Sequence, residues 1–142
     1  MEAKKAHDFV ALLASTTVTA TSTGTTAVRM PGMVNAYAFV LDVTAAATDS
    51  GDKLDVYIQT MCDGTNWVDV QRFTQVLGNG GAKRYVAKIT ASAAMTEFEN
   101  GTGLGAAALR NVFGDQWRVR YVVTDAGTDN ASFTFSVTAC PM

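Results

Sequence analysis

The chain has 142 residues, 48% hydrophobic and 17% charged, with a formal net charge of -2. That length is most simply one domain, long enough to bury a core without disulfide or metal staples. Its 11 basic residues form no run, so there is no electrostatic footprint for nucleic acid, and no apolar stretch approaches the ~20 residues of a membrane-spanning helix.

Residues 1–8 carry Glu2, Lys4, Lys5 and Asp8 without an apolar stripe and read as a flexible N-terminal arm ahead of a domain spanning 9–142. The apolar stretch at 9–14 runs straight into Ser and Thr, which is too short for a signal peptide, so synthesis in a cytoplasm is expected. Residues 9–22 are dense in Thr and Val, whose β-branched side chains favour a strand. Gly24 breaks this segment, and a short strand at 26–30 is stopped by Pro31 and Gly32. Residues 34–46 form the first strong strand. Tyr37, Phe39, Leu41 and Val43 take one face, and Ala36, Ala38, Val40 and Asp42 the other. That second face is small and nearly apolar, which suits either cover on both sides or a subunit contact.

After a polar turn at 48–52, residues 53–61 and 67–76 pair as a hairpin about Asp63-Gly64. Leu54, Val56 and Ile58 alternate with Asp55, Tyr57 and Gln59, the signature of a strand in a sheet packed on one side. A Gly-rich loop at 78–81 leads to a strand at 83–90. Residues 92–108, with Gly101, Gly103 and Gly105, read as a long loop with one short helical turn near 95–99. A short extended piece at 109–113 precedes two last strands at 116–125 and 131–139. Here Trp117, Val119 and Tyr121, then Phe133, Phe135 and Val137, keep a period of two.

Seven or eight strands with turns about every ten residues predict an all-β fold: a single antiparallel β-sandwich, jelly-roll-like. The alternation also predicts the core: Phe39, Leu41, Val43, Leu54, Val56, Ile58, Val68, Val70, Tyr85, Ile89, Trp117, Val119, Tyr121, Phe133, Phe135 and Val137.

The chain offers little that could do chemistry. His7, its single histidine, sits in the arm beside Asp8, and sequence neighbours do not form a catalytic dyad. Cys62 and Cys140 read as free thiols in a reducing compartment, and with one histidine they make no zinc set. Asp49, Asp52 and Asp55 match no calcium loop and belong to a turn. Asp55, Asp69, Glu97 and Glu99 are not placed by any pattern as a glycosidase pair. Tyr57, Trp67 and Trp117 could make a sugar platform if exposed, whereas Trp117 reads as core. The expectation is a non-enzymatic protein with no cofactor and no metal.

The run Leu41-Asp42-Val43-Thr44-Ala45-Ala46-Ala47-Thr48-Asp49-Ser50-Gly51-Asp52-Lys53-Leu54-Asp55-Val56-Tyr57-Ile58-Gln59-Thr60, continued by Asp63-Gly64-Thr65-Asn66-Trp67-Val68-Asp69-Val70 and Phe73-Thr74-Gln75-Val76, resembles small virion structural proteins of tailed bacteriophages. The resemblance covers the middle third of the chain. It implies a capsid decoration or other head- or tail-associated protein, made in the host cytoplasm and located in the virion. Its partners would be capsid or other virion proteins and further copies of itself, with no nucleic acid and no membrane. The alternative is a carbohydrate-binding β-sandwich module. On the first reading, Lys4 and Lys5 of the arm and Met95, Phe98 and Leu104 of the long loop are the candidate assembly contacts, because these loop side chains would be partly exposed in a free monomer.

Overall fold

Alternation of large apolar with polar side chains produces eight strands, seen in a computed structural model that describes residues 9–31 and 34–142. They are β1 (Val10–Val18), β2 (Ala36–Ala45), β3 (Lys53–Met61), β4 (Trp67–Arg72), β5 (Val76–Leu77), β6 (Lys83–Thr90), β7 (Gln116–Thr124) and β8 (Phe133–Pro141). The fold is all-β, and every strand pairing is antiparallel. The expected arm, with Lys4, Lys5 and His7, lies outside the described residues.

Two sheets pack face to face. Sheet A has the order β1-β8-β2-β6. Sheet B is built on β3, which pairs with β7 along one side and with β4 and β5 along the other. The short strand expected at 26–30 does not form. Instead, residues 22–28 follow the free edge of β7 irregularly, with Ser22, Thr25 and Val28 donating their N–H groups to the carbonyls of Tyr121, Val119 and Trp117 at 2.7–3.0 Å. The order across sheet B is thus segment 22–28, β7, β3, then β4.

The inward sets of both sheets meet in the core. Phe39, Leu41, Val43, Leu54, Val56, Ile58, Val119, Phe133, Phe135 and Val137 are fully buried, as the alternation requires. Tyr37, Phe39, Phe113 and Trp117 form one aromatic cluster with ring centres 5.1–6.2 Å apart. Burial raises the Tyr37 phenol pKa, and its hydroxyl donates to the Pro31 carbonyl at 2.8 Å. Val68, Tyr85 and Tyr121 are half-buried and pack against the core from its margins.

Three further expectations need correction. The strand expected over 67–76 stops at Arg72, with β5 taking up the pairing with β3 again at Val76, and within β4 a β-bulge between the Ile58–Gln71 and Gln59–Asp69 pairs shifts the register. The bulge brings Arg72 opposite Tyr57 and leaves Phe73 buried in the core. The helical turn near 95–99 is absent, and no described residue is helical. Finally, β3 is not packed on one side only: Asp55 and Gln59 on its second face are each 6% exposed.

Candidate functional site

The second face of β3 is buried by polar partners from neighbouring strands. One rung across sheet B is Arg118–Gln59–Asp69 and the next is Arg120–Tyr57–Arg72, as the registers dictate. Gln59 donates from Nε2 to Asp69 Oδ1 at 2.8 Å, and its Oε1 accepts from Arg118 Nε at 2.7 Å. Arg120 pairs with Asp69 at 2.9 Å and Arg72 with Asp55 at 2.8 Å. Gln75 donates to the other oxygen of Asp55. The hydrogen bond that Arg72 donates to Asp55 is the largest cause raising the Arg72 pKa, whereas burial, then Arg120, lowers that of Arg118.

Guanidinium groups also cover the aromatic faces. The Arg118 carbon lies 4.2 Å from the Trp67 ring centre, and Arg120 and Arg72 lie 3.8 and 5.4 Å from that of Tyr57. The other side of Arg118 meets Gly24, where any Cβ would collide with the guanidinium. Trp67 and Tyr57 are therefore half-buried under cations rather than laid out as a sugar platform, and Trp117 is core.

The long loop is fastened to β4. Arg72 donates to the Leu104 carbonyl, Arg110 to those of Thr102 and Asp69, and Asn100 to that of Trp67, at 3.1–3.4 Å. Backbone bonds join Arg72 N–H to Ala108 and Arg110 N–H to Val70. Of the candidate contacts, Leu104 is only 7% exposed, which corrects the expectation that it is available as an anchor. Its carbonyl and side chain are held within the chain because the loop completes the edge of sheet B. Phe98 is half-buried with Arg110 stacked 3.9 Å from its ring centre, and Met95 stays 45% exposed.

The turn carboxylates are occupied by backbone donors. Asp52 Oδ1 accepts from the N–H groups of Ala126 and Gly127, and Asp49 Oδ2 from that of Asp129. Both lock the turn before β3 to the turn after β7. Asp52 Oδ2 is buried without a partner, yet no group of three or more His, Cys, Asp or Glu among the described residues is placed to hold a metal ion. Cys62 and Cys140 are free. Desolvation of its sulfur, then the carboxylates of Asp63 and Asp115, push the Cys62 thiol pKa up, which disfavours the nucleophilic thiolate although the residue itself is exposed.

The outer face of sheet A is different. Its rungs are Cys140–Ala38–Lys88, Thr138–Val40–Val86 and Ser136–Asp42–Arg84. Small residues in β8 and β2 leave a groove of about 370 Å³, with Phe9 at one rim and Val86 at the other. These two are the most exposed large apolar side chains among the described residues, at 73% and 69%. Among the described residues, the only charges lining the groove are the Asp42–Arg84 pair at 3.2 Å. The Ala38/Val40 alternation announced this face. Its rims could not be foreseen, because Phe9 and Val86 reach it only through the strand order.

The chain matches no family model and no curated protein. The reading of its function therefore rests on the resemblance carried by residues 41–76 and on the chemistry of these two sheet faces.

Proposed function

We propose that this protein is a non-enzymatic structural component of a tailed-phage virion that decorates or cements the capsid through protein–protein contacts. The observation that carries the reading is the outer face of sheet A: a groove of small side chains whose Asp42 and Arg84 pair with each other, rimmed by exposed Phe9 and Val86. Apolar surface left open and bordered by polar groups is characteristic of protein contact sites. The strand order adds support. Counting segment 22–28 as a strand, the sheets read first–eighth–third–sixth and second–seventh–fourth–fifth, with β5 continuing the edge of β4. On that count we read the order as two interlocked Greek keys of the jelly-roll kind, an architecture shared by viral capsid and lectin domains. That likeness is an analogy of fold and bears on function only together with the surface.

The carbohydrate-binding alternative gains nothing from Trp67 or Tyr57, whose rings are covered by Arg118, Arg120 and Arg72. Mass spectrometry of purified, nuclease-treated particles of the encoding phage tests the proposal. The chain is expected among the virion proteins, with antibody label on the head. Its absence from washed particles would overturn the reading.

A further inference from the structure

We propose that the outer face of sheet A docks a second copy of this chain, forming a two-fold, face-to-face dimer. The inference rests on the reading above that this face makes protein contacts, and it names the partner.

A two-fold contact brings one patch against itself, so the patch must not repel itself. The two outer faces carry the same small excess of positive charge but distribute it differently, that of sheet A being confined to the edge strand β6. The outer face of sheet B carries Arg72, Arg118 and Arg120 against Asp55 and Asp69, an excess of positive charge, and its flank is already occupied by the long loop. The groove in sheet A is charge-balanced through Asp42 and Arg84. Lys88, on the adjoining rung, lies on the edge strand β6.

Strand order shows how two such faces can meet. An axis running along the strands between β8 and β2 lays β1 of one copy over β6 of the other, and β8 over β2. Val40 then opposes Thr138, and Asp42 opposes Ser136, whose hydroxyl can donate to it. Phe9 is laid toward the rim formed by Val86 and Lys88. The lysines and arginines of β6 fall on opposite rims, so like charges do not face one another.

Size also permits the contact. A face four strands wide and about nine residues long spans roughly 600 Å² per copy, so the pair would bury about 1,200 Å², above the ~1,000 Å² expected of a specific interface. The edges of the sheet are poor alternatives. β1 is interrupted by two register shifts, and β6 bears Lys83, Arg84 and Lys88, and both devices discourage strand-to-strand pairing.

The test is the mass of the purified chain in solution, by sedimentation equilibrium and light scattering across the micromolar to sub-millimolar range. A mass twice that of the 15.0 kDa chain is expected. Val86→Lys, at a rim position that contributes nothing to the core, should raise the dimer dissociation constant at least tenfold with an unchanged melting curve. Val40→Asp should do the same from the floor of the groove. Leu77→Lys, an exposed apolar position on sheet B, is the control and should leave the dimer intact. A wild-type chain that stays monomeric throughout overturns the proposal, as does a Val86→Lys dimer of wild-type affinity. A monomer that binds phage heads through this face would assign it to a shell protein and overturn the second-copy proposal alone. A dimer absent from virions would overturn the virion reading alone.

Discussion

The guanidinium of Arg118 lies over the ring of Trp67 and close against Gly24, with its Nε donating to Gln59 Oε1 at 2.7 Å. Three segments distant in sequence thereby meet on one charged group. A cation over an aromatic face contributes ~0.5–2 kcal/mol, and a buried acceptor left unpaired costs ~1–3 kcal/mol. Arg118→Ala is therefore expected to destabilise the fold by about 2 kcal/mol and to open Trp67 to acrylamide quenching. Urea titration and fluorescence check both effects. Unchanged quenching would show that the stack does not persist in solution.

Arg72 and Asp55 form the more buried of the ion pairs on sheet B, with side chains 22% and 9% exposed. Removing one partner strands the other, at a cost of about 3–5 kcal/mol for a buried pair. Arg72→Met alone should cost about 3 kcal/mol, the low end, because its head group retains some water. Adding Asp55→Asn should cost less than the two single changes together. Strictly additive free energies in the double-mutant cycle would contradict the pairing.

Trp117 is 1% exposed and sits edge-on to Tyr37 and Phe113. Trp117→Ala is expected to cost ~3–5 kcal/mol, the range for truncating a buried aromatic residue. A melting temperature equal to that of the wild type would refute its place at the centre of the core.

Asp63 caps the turn between β3 and β4. Its Oδ1 accepts the N–H groups of Asn66 and Thr65, and its Oδ2 accepts from the Asn66 side chain, at 2.7–2.9 Å. These bonds, that of the Asn66 backbone first, hold its carboxyl at about 2. Gly64 completes the turn at φ 79°, where a Cβ would be strained. The folded pKa lies below the ordinary value of ~3.9, so the stabilisation is fully present above about pH 4 and is lost as pH falls through about 2. NMR titration of Asp63 should find its midpoint near 2, with the amide shifts of Thr65 and Asn66 moving in step. A midpoint near 4 would mean that the turn is open in solution.

Much of this fold was legible because period-two alternation is a local signal. The bounds of β3 and β6 agree with the sequence reading, and the large residues of β2, β7 and β8 are buried where alternation puts them. What escaped depends on partners far along the chain. Asp55 and Gln59 read as solvent-facing because nothing near them announces Arg72, Gln75 or Arg118 as cover. Leu104 read as exposed because its glycine-rich surroundings hide the backbone bonds that fasten the loop to β4. The bulge within β4 leaves no mark on the hydrophobic pattern. Of the candidate contacts, the sheet A face was partly legible in Ala38 and Val40, whereas its rims required the pairing of β1 with β8 and of β6 with β2.

The central place of β8 in sheet A has a consequence for how the chain is born. β1 leaves the ribosome first, yet its sheet partner β8 is the last strand to emerge. Everything between Val18 and Phe133 is translated in the interval, on the order of ten seconds. Through that time β2 can pair only with β6, and β1 has no partner in its sheet. The β3–β4 hairpin can assemble during synthesis, but sheet A must wait for β8, so the nascent chain carries an unpaired strand that a chaperone would have to shelter.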